Sequence, residues 1–259
     1  MIIEYHRSEK LDEALSLVAR TAPLTVPLGG GTVLNRPGRE PVAVVDLQAL
    51  GLNTVRKAGK NLQIGATVTL QALEEAPGIP EALRRALKLE ANYNLRQVAT
   101  VAGTLVACDG RSTFTTAMLA LDARLTLLPR EEEIGLGDLL ALREETLRGK
   151  IISRITVPLQ TRLAFEMVAR TPADRPLVCA ALSQWASGRT RLALGGTGKD
   201  PLLAMDGNEP AEGTHRGEGI EAAARDAFAA AGDEWATAEY RSAAAAVLAK
   251  RCLEKIGSA

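Results

Sequence analysis

The chain has 259 residues, of which 46% are hydrophobic and 24% are charged, so it is a globular protein with enough material for one large core or several small ones. Its 31 Lys and Arg residues balance its 31 Asp and Glu residues, and this zero balance gives no reason to expect a nucleic acid or an anionic membrane as a partner. Aromatic residues make up only 3% of the chain, which also argues against a base-stacking surface.

The content of cysteine and histidine does not indicate a metal or redox centre. Cys108, Cys179 and Cys252 lie far apart in the sequence and form no Cys-x-x-Cys pair. His6 and His215 are too few for a histidine-rich metal site. The N-terminal segment lacks the features of a signal peptide, and the alanine run near the C-terminus is too short to span a bilayer. We therefore expect a cytoplasmic protein without membrane insertion.

The first part of the chain predicts strands and helices joined by a glycine turn. "SEKLDEALSLVAR" has the apolar spacing of an amphipathic helix, which Ser8 can cap. "LTVPL" predicts a short strand that leads into glycines, and "VAVVDL" predicts a strand buried on both faces. "NLQIGA" predicts a further strand, and "TVTLQALEEA" predicts a helix with a threonine cap.

The rest of the chain changes from alternating elements to a run of strands. "IPEALRRALKLEA" predicts a helix with Pro80 at its first position, and "STFTTAMLALDA" predicts a buried helix capped by Ser112. A strand ends at Pro158, and three strand-like runs follow, which indicates a separate antiparallel layer. The polar stretch "MDGNEPAEGTHRGEG" predicts a loop, and two helical segments close the chain.

The stretch "PLGGGTVLN", Pro27 to Asn35, is the first candidate binding loop. It lacks the Gly-Lys-Ser/Thr ending of a phosphate-binding P-loop, and it does not open a long helix as a Rossmann fingerprint does. Two interpretations remain open from these residues alone. The glycines form a tight turn after the strand, or their consecutive N–H groups form a nest that binds phosphate oxygens.

A second candidate loop lies in "LRQVATVAGTLVACDGRS", Leu95 to Ser112. Thr100, Gly103, Thr104 and Asp109 are small or polar and suit close approach to a pyrophosphate, although they equally suit a loop that caps the next helix. "LGGTGKD" lacks the first P-loop glycine and predicts a hairpin turn. Two such loops, each after an apolar strand, favour a shared diphosphate ligand.

The order and spacing of these motifs resemble the FAD-binding (medium) subunit of the molybdenum hydroxylases, the family of carbon monoxide and xanthine dehydrogenases. The resemblance covers nearly the whole chain. It is carried by "LGGGTVL", "VVDL", "IGATVT", "RQVATVAGTL", "LALDARL", "ITVP", "RLALGG" and "YRSAAAAVLAKR".

The resemblance implies an α+β chain with a two-subdomain FAD-binding fold of the PCMH type, in residues 1–56 and 57–160. A C-terminal domain with an antiparallel sheet and a helix bundle follows in residues 161–259. The family is an oxidoreductase complex in which a molybdopterin-binding partner oxidises the substrate. Electrons from the iron–sulfur clusters of a second partner then pass through FAD to NAD or a quinone-type acceptor. The resemblance implies no catalytic residue and no metal ligand in this chain.

The resemblance also implies which residues bind FAD, and they fall on the two candidate loops. Those of the first loop are Leu28, Gly29, Gly30, Gly31, Thr32, Val33 and Leu34, and those of the second are Thr100, Ala102, Gly103, Thr104 and Asp109.

Several positions depart from the family pattern. Ala102 replaces a glycine, and its methyl group would clash if the backbone needs φ > 0 or close approach there. Thr104 replaces an asparagine but keeps a donor, Thr113 replaces an aspartate, and Met167 stands where lysine is frequent. A degenerate, flavin-poor structural subunit therefore remains an alternative. An independent NAD-dependent enzyme would need a Rossmann fingerprint, which the sequence lacks.

Overall fold

The computed structural model describes residues 1–34, 40–208 and 218–257. The chain forms two compact units, each assembled from three separate stretches. Unit 1 comprises Met1–Pro77, Ala91–Ala107 and Arg124–Val157, and unit 2 comprises Gly78–Glu90, Cys108–Ala123 and Pro158–Ala259. The division into 1–56, 57–160 and 161–259 stays a prediction, because compactness does not show which segments fold as subdomains.

Strands and helices alternate in the first two thirds of the chain and separate in the last third. In chain order the elements are β1 (Ile2–Arg7), α1 (Leu11–Val18), β2 (Thr25–Leu28), β3 (Val42–Asp46), β4 (Val55–Ala58), β5 (Asn61–Gly65), α2 (Leu70–Glu75), α3 (Glu81–Glu90), α4 (Tyr93–Arg96), α5 (Val101–Ala107), α6 (Thr113–Ala120), β6 (Arg124–Leu128), β7 (Glu132–Gly135), α7 (Leu136–Thr146), β8 (Ile151–Pro158), β9 (Thr161–Val168), β10 (Val178–Trp185), β11 (Arg189–Gly195), β12 (Leu202–Asn208), α8 (Glu218–Ala227) and α9 (Ala238–Gly257).

Unit 1 contains two sheets. The first is parallel, in the order β1-β3-β2, and α1 packs on it through Ala14 and Val18, which meet Val45 and Leu47 in a small apolar core. The second sheet has the order β4-β5-β8-β6-β7. Residues 66–69 connect β5 of this sheet to α2. The carbonyls of this segment accept hydrogen bonds from the second candidate loop.

Unit 2 is built on the antiparallel sheet β12-β11-β10-β9. Val178, Ala180 and Leu182 alternate along β10 and pack with α8 and α9 in one apolar core. The intervening residues of β10 point to the other face, where Cys179 meets Thr116 of the fully buried helix α6. The predicted α+β class with a C-terminal antiparallel sheet and helices is therefore confirmed.

Several local predictions are confirmed by the cap geometry. Thr69 caps α2 by accepting a hydrogen bond from the N–H of Ala72 at 3.1 Å. Ser112 caps α6 in the same way, with the N–H of Thr115 at 3.1 Å. These side chains work as caps because each accepts from an N–H that the first helical turn leaves without a partner.

Other local predictions are wrong. Ser8 does not cap α1, because the helix begins at Leu11 with Lys10 at the cap position and the Ser8 hydroxyl is buried elsewhere. The predicted loop "MDGNEPAEGTHRGEG" begins too early, since its first four residues belong to β12. The remainder of that stretch, with His215, lies almost wholly outside the described residues. Within the described ranges, no helix is both long and apolar enough to cross a membrane.

Candidate functional site

The first candidate loop lies at the carboxyl end of the parallel strand β2. Leu28 ends this strand opposite Asp46 of β3, and the loop continues from Gly29 to Leu34, after which Asn35 lies outside the described residues. Gly31 has φ of +68°, a conformation that favours glycine. Carboxyl ends of parallel strands are the usual place for ligand sites in α/β sheets.

The loop presents consecutive amide groups that have no backbone acceptor among the described residues. Among residues 1–34, 40–208 and 218–257, none accepts a backbone hydrogen bond from the N–H groups of Gly30, Gly31, Thr32 or Val33. Thr32 is also exposed. Successive free N–H groups around a residue with positive φ are the donor set of an anion nest. The structure therefore supplies the chemistry that the nest interpretation requires.

Gly29 and Gly30 lack side chains for a different reason from Gly31. A Cβ on Gly30 would come closer than 3.0 Å to the backbone carbonyl of Val98, and a Cβ on Gly29 would come closer than 3.0 Å to the Thr100 hydroxyl, although the clash at Gly30 is the tighter one. A Cβ on Gly31 would have only the tip of Leu28 near it, at 3.6 Å. The first two glycines therefore let the two candidate loops pack together, and the third sets the direction of the chain.

The second candidate loop is the first turn of helix α5, which corrects the prediction of an irregular loop. Its N–H groups are already used inside the protein. Ala102 donates to the Ala66 carbonyl at 3.2 Å, and Gly103 donates to the hydroxyl of Thr100, also at 3.2 Å. A Cβ on Gly103 would lie 2.7 Å from that hydroxyl oxygen. This turn therefore supports the first loop, whereas the amides without a backbone acceptor in the described part of the chain belong to the first loop itself.

The altered residues of this turn behave differently from the expectation for a loop. Ala102 is not among the described residues with positive φ, so the clash expected from a left-handed backbone is wrong, while the clash expected from close approach stays a prediction. The Thr104 hydroxyl donates to the Thr100 carbonyl at 2.9 Å. The donor that Thr104 keeps is therefore engaged inside the protein, and its oxygen can still accept; its role in cofactor binding stays a prediction.

Asp46, in the motif "VVDL", holds the first loop in place through Gln48. Its carboxylate accepts hydrogen bonds from the Tyr5 hydroxyl and, at 2.9 Å, from the N–H of Gln48. The Gln48 side chain donates in turn to the Gly29 carbonyl at 3.3 Å. The bond to Asp46 raises the pKa of the Tyr5 hydroxyl, because it favours the protonated phenol. Sequence reasoning missed Tyr5 and Gln48, since neither residue type signals a loop support.

Asp109 lies in unit 2, where its carboxylate is engaged by an arginine. Arg175 forms a two-point ion pair with it, one branch of which is 2.7 Å long, and the N–H of Arg111 donates at 2.9 Å. Burial opposes ionisation of Asp109, but the hydrogen bonds from Arg175 and Arg111 outweigh it and lower the pKa of the carboxyl. Its role in cofactor binding stays a prediction.

Thr113, also in unit 2, stands beside a buried carboxylate. Its hydroxyl lies 2.8 Å from the Ala86 carbonyl and 3.2 Å from Oε2 of Glu90. The same oxygen accepts from the N–H of Phe114 at 2.9 Å, and burial raises the pKa of Glu90. An aspartate at position 113, as in the family pattern, would place two carboxylates in contact in a buried site. A neutral threonine at position 113 is therefore compatible with the Glu90 carboxylate, whereas an aspartate would be repelled by it.

The described residues offer no separate redox or metal centre. No three His, Cys, Asp or Glu side chains among them could share a metal ion. The cysteines are buried, and burial raises the pKa of Cys179 to about 12, so that it is a neutral thiol at physiological pH.

Comparison with known proteins agrees with this geometry. Residues 1–160 match a family described as the FAD binding domain in molybdopterin dehydrogenase. The chain belongs to this family. It is 32% identical over 208 residues to the uncharacterized protein YgfM of Escherichia coli (strain K12), and the match covers 80% of this chain and 79% of YgfM.

Two further proteins show the same likeness. The 6-hydroxypseudooxynicotine dehydrogenase complex subunit alpha of Paenarthrobacter nicotinovorans is 28% identical over 167 residues, which are 60% of this chain and 56% of that subunit. A carbon monoxide dehydrogenase chain from Hydrogenophaga pseudoflava superposes with a TM-score of 0.84 at 24% identity, covering 100% of this chain and 98% of that one. The predicted family, oxidoreductase class and fold are thereby confirmed.

Proposed function

We propose that this member of the FAD-binding family binds FAD through its first loop. The pyrophosphate accepts hydrogen bonds from the amides of residues 30–33. The observation that carries this proposal is the row of N–H groups that have no backbone acceptor among the described residues, arranged around the positive φ of Gly31. A nest of this kind stabilises an anion without any charged side chain.

The rest of unit 1 fits this role because it holds the loop in place. The first loop packs on one side against the Val98 carbonyl and the Thr100 hydroxyl. The Gln48 side chain donates a hydrogen bond to the Gly29 carbonyl. The Thr104 oxygen keeps its capacity to accept, which suits a hydroxyl group of the cofactor. The other residues named from the family pattern, Asp109 included, remain part of the proposal.

In the cell, we propose, the chain is the electron-transfer subunit of a cytoplasmic molybdenum hydroxylase complex. Bound flavin supplies one- and two-electron transfer, while this chain binds it, orients it and limits its contact with water. Partner subunits carry the iron–sulfur clusters and the molybdopterin that oxidises the substrate, and the electrons leave to NAD or a quinone-type acceptor. The relative named as a subunit of a dehydrogenase complex supports such an assembly.

Purification of the chain, alone and with the partners that copurify, tests the proposal. We expect flavin absorption bands and the release of FAD, rather than FMN, on denaturation. ADP should compete with FAD, because it carries the same pyrophosphate. A folded complex that is colourless and does not take up added FAD would contradict the proposal.

A flavin-poor structural subunit remains the second candidate, and one observation favours it. The N–H groups of Ala102 and Gly103 are used inside the protein, so the second loop offers fewer donors than the resemblance implied. In this case the apoprotein would still assemble with its partners. Tight binding of FAD on reconstitution would dismiss this candidate.

A further inference from the structure

We propose that Gln71 is a positioning residue for the FAD-binding loop. It acts through Arg96, which holds the turn that presses the Val98 carbonyl against Gly30. This inference rests on the proposed function, in which the amides of residues 30–33 bind the FAD pyrophosphate.

The side chain of Gln71 is buried and all of its polar atoms are engaged. Its amide nitrogen donates to Oε2 of Glu74 at 2.7 Å and to Oε1 of Glu75 at 2.8 Å, and its oxygen accepts from Nε of Arg96 at 3.0 Å. Ionised carboxylates only accept and a guanidinium only donates, so the amide has a single possible orientation. Gln71 is therefore a fixed link between α2 and Arg96.

Arg96 is the last residue of a very short helix. Helix α4 has four residues. Its Nη1 donates to the carbonyl of Ala91, which precedes the helix, at 2.8 Å. Asn92 caps the same turn by accepting from the N–H of Leu95 at 2.9 Å. Isolated helices of this length are not stable, so side-chain bonds at both ends determine where the turn lies.

The turn in α4 is connected directly to the candidate FAD loop. The N–H of Val98 donates to the Leu95 carbonyl at 3.1 Å, and the Val98 carbonyl occupies the space where Gly30 would carry a side chain. A displaced Arg96 therefore moves the surface on which Gly30 rests. Gly30 is the first of the residues with a free amide, so the geometry of the nest depends on this link.

The chain offers a matched control in the same unit. Gln63 on β5 accepts from Nε of Arg56 on β4 at 3.0 Å, the same bond at the same length, but on an exposed hairpin. Substitution of Gln63 removes an equivalent hydrogen bond without touching either candidate loop.

The experiment compares Gln71→Met and Gln63→Met in the full-length chain. FAD is titrated by flavin fluorescence at a temperature at which circular dichroism shows both variants folded. We expect Kd to rise at least tenfold for Gln71→Met and to stay within twofold of the wild type for Gln63→Met. Both substitutions remove a hydrogen bond to a guanidinium, but only the bond to Arg96 is partly buried and linked to the candidate loop. The Kd of ADP should rise by the same factor, since it reports the pyrophosphate half of the ligand.

A double-mutant cycle shows whether Gln71 acts through Arg96. We expect Gln71→Met with Arg96→Met to bind FAD no more weakly than Arg96→Met alone. If Gln71→Met fails to fold, Arg96→Lys tests the same link, because it keeps the charge but has no Nε donor, and the same tenfold loss is expected.

The possible failures can be told apart. Additive losses in the cycle, or wild-type FAD binding by Gln71→Met or Arg96→Lys, would overturn the positioning role while FAD binding stands. Absence of FAD binding in both the wild type and Gln63→Met would overturn the proposed function, and this inference with it.

Discussion

The substitution Gly30→Ala tests the candidate site most directly, because it adds one methyl group between the two loops. The new Cβ would come closer than 3.0 Å to the carbonyl carbon and oxygen of Val98. Both are backbone atoms, so no side-chain rotation can relieve the clash. Either the first loop or the turn that carries Val98 has to move.

The structure also indicates the size of the effect. Forcing a methyl group into a filled site costs about 1–3 kcal/mol of stability. If the loop moves and one N–H bond to the phosphate is lost, the loss is about 1.5–3 kcal/mol of binding free energy. Since about 1.4 kcal/mol corresponds to a factor of ten, we expect the Kd for FAD to rise by roughly 10- to 150-fold.

Two glycines with positive φ provide the comparison for this substitution. Gly31→Ala adds strain of about 1–2 kcal/mol at φ +68°, with no atom closer than 3.6 Å to the new Cβ. Gly59→Ala adds similar strain at φ +60° in the exposed turn between β4 and β5, with nothing within 4 Å. Urea unfolding and FAD titration of the three variants separate lost stability from lost binding. Only the two substitutions in the candidate loop should weaken FAD binding.

One outcome would refute this reasoning. If Gly30→Ala binds FAD with the wild-type Kd while its unfolding free energy falls as expected, the contact between Gly30 and Val98 is structural only. The pyrophosphate would then have to lie elsewhere.

Three further substitutions test the packing around these sites, each measured by urea unfolding. Burial raises the pKa of Glu90 in the folded protein above the value of about 4.3 that a glutamate has in the unfolded chain, so the wild type loses stability as pH rises from about 4.3 through the folded-state pKa. Glu90→Gln, which cannot ionise, should therefore gain stability relative to the wild type over this range, and a difference that does not change with pH contradicts this. Arg241→Met should cost about 3–5 kcal/mol, since the fully buried Arg241 binds two carbonyls and pairs with Asp233, and a loss below about 1 kcal/mol would contradict it. Thr100→Val should cost about 1 kcal/mol, because the N–H of Gly103 loses its capping acceptor; no measurable loss would show that water replaces it.

The fold was predictable where local chemistry decides the structure. A threonine cap for α2 and the Ser112 cap of α6 were recognised because a helix start needs an acceptor within the same few residues. The buried strand β3 was recognised by its β-branched run. The motif order then predicted the family, and through it the fold of the whole chain.

Strands β1 and β12 were missed because their pattern is set by distant partners. Along β1 the exposed positions carry Ile3 and Tyr5, so hydrophobic periodicity points to the wrong face. The end of β12 has the composition of a turn, yet Asp206 pairs with Arg189 at 2.8 Å and with Arg191 at 2.5 Å on β11. Such ion pairs between strands cannot be read from either strand alone.

The residue types of the candidate site were predictable, but the structural role of each residue was not. A run of glycines indicates that side chains are excluded, but only the three-dimensional contacts show that Gly30 faces the Val98 carbonyl and that Gly31 has only the tip of Leu28 near it. Gln71 carries no motif at all. Its importance follows from the bond to Arg96, which joins residues 25 positions apart.

The departure at Ala102 shows why a family pattern has to be weighed against local structure. In the first turn of α5 an alanine is more favourable than a glycine by roughly 1 kcal/mol, because it loses less backbone entropy. Its N–H binds the Ala66 carbonyl, so a glycine at 102 would offer this nest no additional donor. Alanine in place of glycine at position 102 therefore stabilises the turn of α5 against which the first loop packs. Reversal to Ala102→Gly should lower stability by about that amount and should not tighten FAD binding; tighter binding would show that the turn itself contacts the cofactor.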